Sequence, residues 1–320
     1  LLAACASAFE GPEKKLEIIL FTAQSDLREN PGDRWQQVAA ASGAEILSQI
    51  SSLSLDAYLL SESSLFVWAD RILMITCGQT VLLRALPEIL KIVGRQNVAM
   101  VFYERKNLMF PEEQPADFEA DVSLLSEYFP GKSYRLGPAN ADHVHLFFSS
   151  HAKIEAKQDV TLQILMSDLS PDMARRFFAD NGTARRIAAR TGIESLYSGM
   201  RIDSHLFTPA GFSVNGIRDA RYFTVHVTPQ RSGSYTSFET NMIEEDYGPV
   251  VFEVLDIFRP ERFTLVLTSS MDPRCRPLHQ TLPDRAPGYR ALEKSYHEFN
   301  CGYAVSFFNC GKTAGRNIDP

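Results

Sequence analysis

The chain has 320 residues, 45% of them hydrophobic and 22% charged, so it can bury a large core as one big domain or as two related halves. A net charge of −7 without a basic stripe argues against a nucleic-acid or anionic-membrane partner, since both call for clustered positive charge. The longest apolar runs, LEIILF and VVFEVL among them, fall well short of the roughly 18 residues that span a bilayer, and five cysteines at irregular spacing, with no CxxC pair, point to a reducing cytoplasm. The opening LLAACASA ends in the A-x-A pattern of a clipped signal peptide, a reading that the odd cysteine count opposes.

In chain order, alternating apolar and polar residues predict a strand at 15–22. A helix follows at 33–42, started by Asp33 after Pro31-Gly32 and stopped by Gly43. Strands follow at 44–50, 57–63 and 70–77, then a helix at 80–93, a strand at 97–103, a helix at 115–129 and strands at 133–137, 143–148 and 160–166. The second part predicts a helix at 170–180, strands at 211–217, 222–228 and 234–240, a helix at 245–258 and strands at 262–268 and 302–308. Asp272 to Pro287, rich in Pro and Arg, reads as the least structured interior stretch, and the last ten residues read as disordered.

Most neighbouring strands are joined by short turns rather than helical crossovers. The expected fold class is therefore α+β: a four-layer α/β/β/α sandwich of two largely antiparallel sheets with helices on the outer faces. A hairpin-then-helix order near residues 57–93 recurs near 221–258, which suggests a single domain over 1–320 built from two similar halves.

Several motifs fail on inspection. CGKT at Cys310 to Thr313 lacks the first glycine of a phosphate-binding loop, because Ser306 stands there and no helix follows. HVH at His143 to His145 puts two imidazoles on one strand face without an evident third metal ligand, so no metal site is expected. NGT at Asn181 is a glycosylation sequon, of little meaning in a cytoplasmic chain. A hydrolase built on Ser63 or Cys77 with His226 would lack a GxSxG elbow.

The segment DAYLLSESSLFVWADRILMITCGQT is different. It alternates like a strand, yet carries the small polar run Ser61-Glu62-Ser63-Ser64 at its middle. YLLSESSLFV followed by ITCGQT resembles the processing site of eukaryotic S-adenosylmethionine decarboxylase proenzymes. FEGPEKKLEI, FYERKN, TLQILMSDL, PAGFSVNGI, YFTVHVTP and SYTSFETN resemble the same family in order and spacing, over roughly residues 9 to 310.

The resemblance implies autocatalytic cleavage between Glu62 and Ser63 into chains 1–62 and 63–320. Ser63 would then become a covalent pyruvoyl group that takes the substrate amine as a Schiff base. His226 matches the base for the α-proton of Ser63, Ser213 the residue supporting the oxyanion intermediate, and Cys77 the acid that reprotonates the substrate carbon. Glu13 and Glu10 match carboxylates near the reacting centre. For S-adenosylmethionine, Phe9 and Phe207 match an aromatic pair around adenine, the backbone of Glu62 an adenine contact, and Leu60 a further contact. Gln230 stands where the family has a ribose-binding carboxylate, so ribose binding should persist but weaken.

Family members from animals also bind putrescine as an activator in a buried acidic cluster. At the matching positions this chain keeps Glu17, Asp159, Thr161 and Glu239, beside Phe102, but has Gln163 for a glutamate, Ile75 for a lysine and Glu104 for a serine. With the lysine gone, the cluster is expected to welcome a diamine. The resemblance further leaves room for a homodimer. The alternative is a weak or silent homologue that acts as regulatory partner of an active decarboxylase.

Overall fold

Strand β1, Lys14–Leu20, sets the layering of the whole molecule. Its period of two sends Leu16, Ile18 and Leu20 into one apolar cluster and turns Lys15, Glu17 and Ile19 to the opposite side. The computed structural model describes residues 9–21, 26–151, 157–230 and 233–313. Among these lie seventeen strands and seven α-helices.

The first sheet combines β1 with β2 (Ile46–Ser51), β3 (Asp56–Leu60), β4 (Ser63–Val67), β5 (Arg71–Thr76), β6 (Val98–Lys106), β7 (Lys132–Leu136) and β8 (Val144–Ser150). Their order is β2-β3-β4-β5-β1-β6-β8-β7. The second combines β9 (Val160–Leu169), β10 (Arg201–Leu206), β11 (Phe212–Arg218), β12 (Arg221–Thr228), β13 (Tyr235–Thr240), β14 (Pro260–Ser270), β15 (Arg285–Ala286), β16 (Tyr289–Glu298) and β17 (Tyr303–Lys312). Its order, β10-β11-β12-β13-β9-β14-β17-β16, reproduces the first sheet strand for strand, with β15 added at the edge. The pairings are antiparallel in both sheets.

Helices α1 (Arg34–Ser42), α2 (Leu86–Val93) and α3 (Phe118–Tyr128) cover the outer face of the first sheet, where Trp35, Val38, Ile89 and Leu125 pack with Leu16, Tyr58 and Leu65. Helices α4 (Pro171–Arg175), α5 (Ala184–Thr191), α6 (Gly248–Phe258) and α7 (Arg276–Thr281) cover the second. The molecule is thus an α+β sandwich of four layers. Between the sheets are two apolar patches, one around Met100, Phe102, Leu165 and Val266, the other around Ala57, Phe66, Leu73 and Tyr222. Each fully buried ring, such as Phe66 or Phe147, contributes about 1.5–3 kcal/mol relative to exposure. No helix among the described residues is long and apolar enough to cross a membrane.

The structure departs from the expected elements in four places. The predicted strand 57–63 is two strands joined by a tight turn. β10 and β16 were not predicted, because β10 is partly buried along most of its length and β16 carries Leu292 and Tyr296 on its exposed face and Glu293 and Ser295 on its half-buried one, so neither reads as an apolar and polar alternation. Helix α5 was missed; it is short and buries only Ile187 and Ala188, although Thr183 caps its start and Gly192 its end. The stretch from Asp272 to Pro287 holds α7 and β15, and Gly311 and Lys312 complete β17. Residues 314–320 and the opening 1–8, with Cys5, lie outside the described residues.

Candidate active site

The interrupted segment is a hairpin. Leu60 pairs with Ser63, which leaves Ser61-Glu62 as a two-residue loop between β3 and β4. Such loops match the strand twist best when a loop residue takes positive φ. Neither Ser61 nor Glu62 does; the positive value falls on Ser63, at φ 135. For a residue with a Cβ this is a strained conformation, costing about 1–3 kcal/mol.

Ser63 is buried, and its Oγ has no hydrogen-bond partner. The preceding carbonyl is the reverse case. Glu62 O accepts from Cys77 N at 3.0 Å and from Cys77 Sγ at 3.4 Å. Two donors polarise the carbonyl beside a hydroxyl that has nothing else to bind, the arrangement that favours attack and stabilises the resulting oxyanion. Burial, reinforced by the charges of Glu62 and Glu13, pushes the Cys77 thiol well above its ordinary pKa, so it keeps its proton.

The facing sheet carries a buried histidine. Ser213 and His226 are register partners on β11 and β12, and Ser213 Oγ lies 2.9 Å from His226 Nδ1. Burial lowers the imidazole pKa to about 3, which leaves the ring neutral near pH 7. Ser64 Oγ donates to Asn215 Oδ1 at 2.8 Å, and this bond seats the hairpin of the first sheet on β11 of the second.

A cleft of about 420 Å³ opens beside the hairpin, lined in part by Phe9, Glu10, Glu62 and Gln114. Gly78, at φ +64, closes its floor; a Cβ there would fall 2.8 Å from Glu62 Oε2 and 2.9 Å from the Phe9 ring. Burial, opposed by Lys14, pushes the Glu62 carboxyl up to about 7. Lys14, itself lowered to about 8 by burial and by Arg105, donates to Gly78 O at 3.1 Å, Thr80 O at 2.8 Å and Gln114 Oε1 at 3.0 Å.

The other expected residues have contacts of their own. Glu10, expected near the chemistry, accepts from Met109 N at 2.8 Å and Phe110 N at 2.7 Å, so its carboxylate clamps that segment beside the cleft. Glu13 is buried on the second sheet's side, where it accepts from Ser237 Oγ at 2.7 Å; burial pushes it up to about 8. The side chain of Leu60 packs into the core beneath the helices, so only its backbone can serve a ligand. Phe207, edge-on to His205 at 4.6 Å, and Gln230 are not among the residues lining the cleft.

A family profile for adenosylmethionine decarboxylase matches residues 6–310. The chain belongs to the adenosylmethionine decarboxylase family. It is 34% identical to an S-adenosylmethionine decarboxylase proenzyme of Dictyostelium discoideum, over 95% of this chain and 86% of that one. It is 34% identical to one of Xenopus laevis, over 92% and 93%. A crystal structure of the Trypanosoma brucei AdoMetDC-delta26 monomer superposes with a TM-score of 0.65 at 28% identity, covering 78% of this chain and 99% of that one.

In this member of the adenosylmethionine decarboxylase family a charged seam runs between the two apolar patches of the inter-sheet layer. Lys15 Nζ lies 2.9 Å from Glu239 and 3.9 Å from Glu104, and Gln163 Nε2 bridges the same two carboxylates at 2.8 and 2.9 Å. Tyr222 Oη donates to Glu239 as well. Farther along, Arg71 pairs with Asp159 at 2.5 Å and Glu17 at 3.3 Å, and Tyr303 Oη donates to Asp159 at 2.7 Å. Burial opposes the charges on Lys15 and Asp159, yet the carboxylates around Lys15 and the guanidinium beside Asp159 outweigh it, so both stay ionised.

These contacts correct the expectation of a cluster short of positive charge. Lys15 is the register partner of Ile75 on the neighbouring strand, so the cation missing at position 75 is supplied one strand over. The gap left beside Phe102 and Thr161 measures about 10 Å³, no more than one water fills.

Proposed function

We propose that this chain cuts itself between Glu62 and Ser63 and that the product decarboxylates S-adenosylmethionine. The observation that carries the reading is the scissile peptide itself: a doubly donated Glu62 carbonyl beside the strained, unpartnered Ser63 hydroxyl. Ser63 Oγ attacks that carbonyl carbon and gives up its proton, the C–N bond breaks, the nitrogen takes that proton to become a free amine, and Glu62 becomes an ester on Ser63. His226 then takes the α-proton of residue 63, and the Cβ–O bond breaks with Glu62 leaving as a carboxylate. Water adds to the dehydroalanine left behind and ammonia departs, so residue 63 ends as a pyruvoyl group.

The site suits that group. Oγ leaves with the Glu62 carboxylate and Cβ becomes the methyl of the pyruvoyl group, and because Oγ has no hydrogen-bond partner its loss strands no donor or acceptor. When present, the ketone supplies the electron sink that no ordinary side chain offers. Cys77 holds the proton for the substrate carbon at Sγ, and the Phe9 ring, 37% exposed, offers a face for the adenine and the sulfonium, worth about 0.5–2 kcal/mol as a cation–π contact. Gln230 can accept from one ribose hydroxyl.

The test is release of labelled carbon dioxide from carboxyl-labelled S-adenosylmethionine, without pyridoxal phosphate or added metal, by fully cut protein. Borohydride treatment is expected to abolish it, and fully cut protein that releases none overturns the substrate assignment. Cys77→Ala keeps the backbone donor to Glu62 O but loses the thiol, so it cuts slowly to completion and turns over about 10²–10⁴-fold more slowly. Near-native turnover by that variant would remove Cys77 from the proton transfer.

A further inference from the structure

A short chain of hydrogen bonds links the cleavage hairpin to the far side of the imidazole. Ser64 Oγ lies 2.8 Å from Asn215 Oδ1, Thr224 Oγ1 lies 2.8 Å from the same oxygen, and Thr224 Oγ1 lies 2.8 Å from His226 Nε2. All of these residues are buried, Ser64 and Asn215 completely. An amide oxygen only accepts, so both hydroxyls turn their hydrogens toward Oδ1. A hydroxyl has one hydrogen. Thr224 Oγ1 also lies 3.2 Å from Val214 O, which likewise only accepts, so with its hydrogen given to Asn215 or to Val214 its oxygen is left to accept, and the donor facing it is Nε2–H of His226. A neutral ring carries one N–H. Nδ1 is therefore bare, and its lone pair receives the hydrogen of Ser213 Oγ at 2.9 Å.

We propose that Thr224 and Asn215 are positioning residues that hold His226 as the Nε2–H tautomer and so make Nδ1 the basic atom beside Ser213. This rests on the reading of His226 as the base in self-cleavage. The opposite tautomer would set the Nε2 lone pair against that of Thr224, or force Thr224 to turn its hydrogen away from Asn215. The first sets a nitrogen lone pair against an oxygen lone pair, and the second leaves Thr224 Oγ1 facing Asn215 Oδ1 with no hydrogen between them; either is a penalty that biases the tautomer even though no residue here touches the scissile bond. Ser64, the neighbour of Ser63, donates to the same Asn215 oxygen, so the cleavage hairpin and the His226 ring are tied to one amide.

The experiment has two arms. In the first, the Ser63→Ala chain, which stays uncut, is labelled with ¹⁵N-histidine, and the His226 ring is assigned by the signal lost in the additional His226→Gln change. Long-range proton–nitrogen correlations are expected to show Nε2 protonated, with the Nδ1–H form growing in when Thr224→Val is added. In the second, self-cleavage is timed in the otherwise native chain. Thr224→Val is expected to slow it at least ~10-fold, a part of the full 10²–10⁴ of a general base, and Thr224→Ser, which keeps the hydroxyl, to restore it to within about 3-fold.

An Nδ1–H ring in the Ser63→Ala chain overturns the proposal without reference to any variant at Thr224, so misfolding of Thr224→Val does not shelter it. Native-rate cleavage by Thr224→Val overturns the positioning role. A native chain that never cuts, yet shows the Nε2–H ring, overturns the reading of His226 as a base while leaving the tautomer assignment standing.

Discussion

Ser63→Ala leaves the chain whole. The native protein, purified and denatured, is expected to separate into residues 1–62 and 63–320, the larger beginning without a free amine, whereas the variant runs as one uncut species. Alanine keeps the Cβ, so the strained φ at position 63 and the two donors on Glu62 O remain. What goes is the one atom placed to attack, and neither strain nor polarisation breaks a peptide bond without a nucleophile. Intact mass of both proteins after long incubation decides the matter. A native chain that stays uncut with a free serine inside it contradicts self-processing, as does cleavage of the alanine variant at the same bond.

Lys15→Met is expected to cost about 3–5 kcal/mol of stability, because it strands Glu239 and Glu104 in the seam with a side chain of similar length and no charge. The urea midpoint should fall accordingly. The sign with pH follows from the same contacts. Without Lys15 the buried carboxylates of Glu239 and Glu104 lose their counter-charge, so protonation favours the folded variant over its unfolded chain. The variant is therefore expected to keep more of its stability toward pH 5 and to lose it as pH rises. The seam also decides the response to putrescine. Decarboxylation by the native chain should be flat against putrescine at fixed ionic strength, since Lys15 and Arg71 already neutralise the carboxylates. Lys15→Ala opens both room and negative charge there, and added diamine should restore part of its stability and rate. A native rate that climbs with putrescine would show that the seam still needs an outside cation.

Much of the fold was legible because the buried strands of both sheets, such as 70–77 and 222–228, carry apolar runs bounded by polar turns. The hairpin at Ser61-Glu62 was not, since it lacks the glycine or asparagine that marks a two-residue turn, and its strain falls one residue later. Ser63, Cys77, Ser213 and His226 were nameable only through resemblance; alone, a serine at a turn or a histidine on an apolar strand says little. Lys15 escaped for a different reason. Its meaning depends on standing opposite Ile75 in the register, and register is a property of two strands that no single stretch of sequence contains. Asn215 and Thr224 are ordinary strand residues until β11 and β12 are paired. The partners of Glu10 were hidden for the same reason, because the backbone donors at Met109 and Phe110 that hold its carboxylate come from a segment far along the chain.

The position of β1 bears on what kind of object the cut protein is. It belongs to the segment before Ser63, yet it sits between β5 and β6, which belong to the segment after it. The proposed cut would turn one chain into two laced through the same sheet, neither of which could leave without tearing out a central strand. Before the cut, folding is a first-order search by a single molecule. After it, a denatured sample can recover only by collision of two fragments, at a rate that falls with dilution. Self-cleavage would then act as a ratchet: the protein folds as one molecule, and once opened afterwards it does not readily find its way back.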